Sequence, residues 1–231
     1  MPLDSLSVLN SEVSTCRLCP RLVQHREQIG KTKRRAYVTH TYWSRPITGF
    51  GDPSARLLLI GLAPGAHGAN RTGRIFTGDS SGDYLYRALF ETGFASQPVS
   101  TAINDGLVLT DAYITCPVRC VPPDNKPFPD EIATCRPYLV RELALLKNVE
   151  VVVPLGQIGL NAYLSTLHQA SLIQARAPFV FGHGATFQTH PNGPRVLCSY
   201  HPSQQNTSTK RLTAAMLREI FTTARRLFAA K

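Results

Sequence analysis

A three-layer α/β/α sandwich on a mainly parallel, four-stranded central sheet is the architecture expected of this 231-residue chain. Four short runs are apolar almost without interruption, as strands buried on both faces are. The segments between them carry the apolar spacing of amphipathic helices, and strand–helix alternation winds a parallel sheet with helices on both sides. No internal repeat, low-complexity tract or linker divides the chain, so residues 1–231 are expected to form one domain.

The elements follow in order. Leu3, Leu6, Leu9, Val13, Leu18 and Leu22 recur at roughly helical spacing across residues 3–29, interrupted by Pro20. A basic run, KTKRR (Lys31–Arg35), leads into a loop holding Tyr42, Trp43 and Phe50. RLLLIGL (Arg56–Leu62) is the first predicted strand, followed by LVLTDAYIT (Leu107–Thr115), EVVVPLG (Glu150–Gly156) and RVLCSY (Arg195–Tyr200). Helical patterns cover Asp83–Phe94, Asp130–Lys147, Ile158–Leu167 and Thr207–Ala230, and residues 170–194 are expected to add an edge strand or hairpin. Ligands of such sheets bind beyond the carboxyl ends of the strands, here after Leu62, Thr115, Gly156 and Tyr200.

Composition narrows the function classes. No stretch approaches ~20 continuous apolar residues, which argues against a membrane-spanning helix. The opening MPLDSLSVLNSEVSTC carries Asp4 and Glu12 and lacks a basic-then-apolar leader pattern, so a cytoplasmic location is expected. Lys and Arg total 25 against 15 Asp and Glu, a net charge of +10 that favours a polyanionic partner such as nucleic acid. Solvated surface arginines are the competing explanation of the same charge.

Six cysteines in a chain expected to stay in a reducing compartment do not read as a disulfide framework. Cys16 and Cys19 form a C-x2-C, Cys120 and Cys135 a C-x14-C, while Cys116 and Cys198 stand apart. Two pairs of thiolates suit one tetrahedral or cubane metal centre. A redox C-x-x-C would sit where a strand opens into a helix, whereas this one precedes the first strand. Four unrelated buried thiols are the third possibility.

Six of the chain's sixteen glycines fall between Gly61 and Gly82, in GLAPGAHGANRTGRIFTGDSSG. That density lets backbone N–H groups approach a ligand, although neither a P-loop nor a G-x-G-x-x-G fingerprint is present. Within the loop, Phe76 can stack on a flat ring or belong to the core. Asp79 can orient a water or cap a helix opening near Ser80. His201, before Pro202, follows the last predicted strand and can donate a hydrogen bond to a developing anion.

Taken together, GLAPGAHGANRTGRIFTGD, YITCPVRCVPPDNKPFPDEIATC and HPS, with CRLC near the start, resemble the uracil-DNA glycosylase superfamily. The resemblance is to the iron–sulfur-containing family 5 and, less closely, family 4, and runs in order from Cys16 to about Ser203. It implies that Cys16, Cys19, Cys120 and Cys135 hold a structural 4Fe–4S cluster. Gly61, Leu62, Ala63, Pro64 and Gly65, with His67, match the first active-site motif. Phe76 matches the aromatic that stacks on the flipped base, Asp79 a water-activating carboxylate, and His201 the histidine that contacts the base carbonyl.

Two positions depart from better-known relatives. Ala63 stands where other families place a water-activating Asp, which shifts that role to Asp79. Cys116 stands where a base-reading Asn is expected, and a thiol replaces neither the donor nor the acceptor of an amide. The expectation is a monomeric, monofunctional DNA glycosylase, one domain throughout, acting on uracil and other deaminated bases to start base-excision repair. Neither active-site motif contains the lysine that a lyase step would use, so an abasic site is the expected product. A non-cleaving DNA- or base-binding protein of the same fold is the alternative, and a cysteine-ligated zinc protein that binds RNA is a third. Lys31, Lys33, Arg34 and Arg35, and Lys210, Arg211, Arg218, Arg225 and Arg226, are candidate phosphate contacts, with a solvated face the competing reading of the last helix. Gln204, Gln205 and Asn206 are available to fill the gap left by a flipped base.

Overall fold

The structure, a computed structural model, describes residues 4–228. The four predicted strands form the parallel centre of the sheet: β2 (Leu57–Ile60), β3 (Ala112–Thr115), β4 (Val151–Pro154) and β6 (Arg195–Leu197). Two short antiparallel strands extend it at the edges, β1 (Phe50–Gly51) on β3 and β5 (Thr186–Gln188) on β6, giving the order β1-β3-β2-β4-β6-β5. β5 lies within residues 170–194, where an edge strand was expected. Every residue of β2, β3 and β4 is buried.

Alternation along the strands divides the core into two layers. Leu57, Leu59, Ile114, Val151 and Val153 pack toward α4 (Ser80–Glu91) and α8 (Ala214–Phe228), through Leu85, Leu89, Leu217 and Phe221. Leu58, Ile60 and Val152 face the opposite way, onto Leu160, Tyr163, Leu164 and Leu167 of α6 (Gln157–Gln169). Helices α5 (Pro129–Leu145) and α1 (Leu6–Thr15) pack together.

Several boundaries shift by one to three residues, and three differences from the sequence reading are larger. The N-terminal pattern is two helices, α1 and α2 (Pro20–Thr32), with Pro20 at the first position of α2. Proline belongs there because its missing N–H has no intrahelical partner in any case. Cys16 and Cys19 consequently flank an interhelical turn, as the C-cap of α1 and the N-cap of α2. Strand β3 starts only at Ala112, because Asp111 adopts φ 62° and breaks the extended run. The predicted Thr207–Ala230 helix is interrupted between α7 (Gln204–Ser208) and α8, with Lys210 at φ 58°; its expected end beyond 228 lies outside the described residues.

Candidate active site

All four parallel strands end on one edge of the sheet, and their loops surround a cavity of ≈ 510 Å³. A short helix, α3 (Ala69–Thr72), lies within the glycine-rich loop after β2. Gly61 is there for a steric reason: a Cβ on it would stand 3.0 Å from the ring of Phe76. Phe76 adopts φ 50°, is almost fully buried and lines the cavity, with its ring centroid 5.6 Å from that of His201. Phe76 is thus a core residue whose ring also lines the cavity.

Asp79 caps a helix, one of its two expected roles, and also lines the cavity. One carboxylate oxygen accepts the Gly82 N–H at 3.0 Å and caps α4. The other oxygen, Oδ2, lies against the backbone of Gly65 and Gly68; a Cβ on Gly68 would collide with it. Asp79 lines the cavity, and burial raises its pKa above the ordinary carboxylate value, partly opposed by the backbone N–H groups of Gly82 and Ser81. His201 lines the same cavity from the loop after β6, and burial lowers its pKa to about 4. Its imidazole is neutral near pH 7 and retains one N–H to donate. The Asn206 amide fixes the His201 backbone by donating to its carbonyl at 2.8 Å.

Leu62, Ala63 and Gly65 complete the wall from the first motif, Ala63 contributing only a methyl group. Gly61, Pro64, His67 and Cys116 lie around the cavity rather than in its lining. Cys116 is wholly buried, and its thiol donates to the Val118 carbonyl. His67 Nδ1 is 2.9 Å from the Tyr42 hydroxyl, a contact that anchors the loop from behind.

Residues not singled out from the sequence contribute as well. Asn125, in the tight turn Pro123–Asn125 after β3, lines the cavity at φ 56°, next to Asp124 at φ 53°. The available signal was Asp-Asn inside PPDNKP, since these two residue types tolerate left-handed backbone. Arg71 staples the glycine-rich loop by donating to the carbonyls of His67 at 2.7 Å and Gly78 at 2.8 Å.

A second, small apolar cavity is lined by all four paired cysteines, Cys16, Cys19, Cys120 and Cys135, together with Leu22, Val23, Val118 and Tyr138. Two buried arginines adjoin it. Arg26 Nη1 lies 2.9 Å from Cys120 Sγ, and the Arg119 backbone N–H donates to Cys135 Sγ at 3.4 Å. Arg26 Nε and two guanidinium nitrogens of Arg119 have no hydrogen-bond partner.

The family model described as the uracil DNA glycosylase superfamily matches residues 48–225. The chain belongs to the uracil-DNA glycosylase superfamily. Among similar members, a type-5 uracil-DNA glycosylase of Thermus thermophilus is 49% identical over 215 residues, covering 93% of this chain and 94% of its own. A type-5 uracil-DNA glycosylase of Mycobacterium leprae is 47% identical over 224 residues, 96% of each chain. A type-4 uracil-DNA glycosylase of Pyrobaculum aerophilum is 30% identical over 169 residues, 71% of this chain and 74% of its own. Within this superfamily the type-5 members are the nearer relatives and the type-4 members the more distant, as the motifs suggested.

The structure sorts the basic residues of the chain. Arg225 donates to the carbonyls of Thr92 and Gly93, and Arg218 and Arg226 pair with Glu91 and Glu219. Lys31, Arg34 and Arg35 are exposed, as are Lys210 and Arg211. Among the described residues no helix is long and apolar enough to cross a membrane.

Proposed function

We propose that the protein hydrolyses the N-glycosidic bond of uracil in DNA, leaving an abasic site. The observation that carries this reading is the convergence of Phe76, Asp79 and His201 on one cavity at the carboxyl edge of the sheet. A base must leave the duplex before an enzyme can act on it, and a pocket with an aromatic wall holds it once flipped. Phe76 offers its ring face to the base. The Asn125 amide carries both a donor and an acceptor, the pair needed against a pyrimidine edge.

In the reaction the C1′–N bond breaks and its electron pair leaves with the base, while positive charge builds on the sugar. The neutral His201 N–H donates to the base oxygen on which negative charge collects. A water attacks C1′ and gives up a proton to the Asp79 carboxylate, restoring neutrality at the sugar. Because the described residues lining the cavity include no lysine, no imine with the opened sugar forms and the strand stays unbroken.

The cysteine site fits an iron–sulfur cluster. Four thiols, Cys16, Cys19, Cys120 and Cys135, line one apolar cavity. A cubane takes one thiolate on each of four irons, so its ligands stand apart. The unpartnered nitrogens of Arg26 and Arg119 supply positive charge beside anionic sulfurs. Cys16 and Cys19 from the α1–α2 turn, Cys120 from the loop after β3 and Cys135 of α5 would hold the cluster. Bound there, it supplies a cross-link between the N-terminal helices and the loop that carries Asn125.

The direct test incubates purified protein with labelled DNA carrying one uracil and then treats it with alkali. Cleavage at the uracil after alkali, and none before it, is the expected result. Intact strands after alkali with uracil, hypoxanthine and xanthine substrates alike, despite measurable DNA binding, would overturn the reading in favour of a non-cleaving binder.

A further inference from the structure

Beyond Leu62, Asn125 and Ile158, which it shares with the active-site cavity, a groove of ≈ 410 Å³ runs between the loop after β3, the start of α5 and α6. Its apolar lining includes Pro117, Pro127 and Ile132 from the loop after β3 and α5, and Ile158 from α6. Ile158 is 45% exposed and forms part of the wall that the groove shares with the active-site cavity.

Three cations line this groove, Lys126, Arg136 and Arg176, and no carboxylate does. Elsewhere the chain pairs many of its arginines: Arg21, Arg56, Arg74, Arg119, Arg141 and Arg218 each lie within ion-pair distance of an acidic residue. None of the three groove cations has such a partner among the described residues, and Arg176 bonds only the Ser165 hydroxyl, at 2.8 Å. Cations left unpaired around an apolar trough suit a ligand that carries phosphates and flat apolar faces together. Consecutive nucleotides of an unpaired strand have that chemistry: bases lie against apolar surface while phosphates meet Lys and Arg.

We infer that this groove is a binding site for the nucleotides adjacent to the flipped one on the same strand. The inference rests on the glycosylase reading for its direction, since the flipped nucleotide in the neighbouring cavity is what feeds the strand into the groove.

Binding of labelled single strands to the full protein, followed by fluorescence anisotropy, tests the inference without requiring turnover. The strands carry one uracil near the 5′ end, near the 3′ end or centrally. Wild-type protein is expected to prefer strands whose flank extends on one particular side, and the R136A/R176A double variant to lose that preference. The variant should bind about tenfold more weakly at low salt, and its log Kd against log salt slope should fall by about 1.4, from ~0.7 per lost phosphate contact on single strands. R218A/R226A, which removes arginines already paired on α8, should bind like the wild type. An R136A/R176A variant with unchanged affinity, flank preference and salt slope would overturn the groove assignment. Uracil release by the wild type, followed in parallel, reports separately on the glycosylase reading: release together with unchanged variant binding sinks the groove alone. Absence of release leaves the groove to be decided by the anisotropy.

Discussion

Replacing Asp79 separates its two geometric roles, because Asn and Ala remove different parts of it. One oxygen caps α4 by accepting the Gly82 N–H at 3.0 Å, and the other faces the glycine-rich loop beside the cavity. Asn caps helices about as well as Asp, so Asp79→Asn should keep stability within ~0.5 kcal/mol of the wild type. Asp79→Ala loses the cap, worth about 1 kcal/mol, which in a chain of this size lowers the melting temperature by roughly 2–4 °C. In the proposed mechanism both variants lose the proton acceptor, so base release should fall by about 10²–10⁴-fold in each. Melting followed by circular dichroism and uracil release measured on the same preparations give the two readouts. Burial raises the Asp79 pKa above 3.8, so wild-type turnover should climb with pH through a midpoint above that value, and the climb should vanish in the Asn variant. The same shift acts on stability in the opposite sense. The native state keeps this proton where the unfolded chain has lost it, so the contribution to stability declines as pH rises through that window. An Asp79→Asn protein that releases uracil at the wild-type rate would refute the catalytic role and leave Asp79 as a helix cap.

His201→Ala should lower turnover by about 10²–10³-fold with little change in DNA affinity, because a donor to a developing anion acts in the transition state; equal losses in both would argue for a binding role. With the imidazole pKa lowered to about 4 from 6.5, the unfolded chain binds a proton that the native state refuses between those values. Stability should therefore fall as pH drops from 6.5 toward 4, and a melting series should show a shallower fall in His201→Gln. Arg119 and Glu142 form a buried ion pair at 2.6 Å, with Tyr113 and Thr115 also donating to the carboxylate. Arg119→Met strands that carboxylate and should cost about 3–5 kcal/mol in urea denaturation, while adding Glu142→Gln should recover much of the loss. An Arg119→Met protein as stable as the wild type would show that the pair carries no such weight.

The central strands were legible because burial on both faces leaves a continuous apolar run, as in Leu57–Ile60 and Val151–Val153. Strand β1 was not, since the two residues Phe50 and Gly51 carry no period and are extended only through pairing with Tyr113 and Ile114. The charge count was a poor guide to free cations. Arg26, Arg71, Arg74 and Arg119 are buried and hold thiols, carbonyls or carboxylates inside the molecule. A composition sum cannot separate such residues from Arg136 and Arg176 in the open groove.

Residue chemistry and order along the chain were enough to identify the glycine-rich motif, the paired cysteines and His201, because side-chain type and spacing are properties of the chain itself. Which of those groups share a cavity was decided by the sheet. Parallel registry brings the ends of β2, β3, β4 and β6 to one edge, so Phe76, Asn125, Ile158 and His201 meet across long sequence separations. The tertiary structure also buries Cys116 against Val118 and sets Asn125 in the cavity lining, since a left-handed turn redirects a side chain in a way that no local pattern announces.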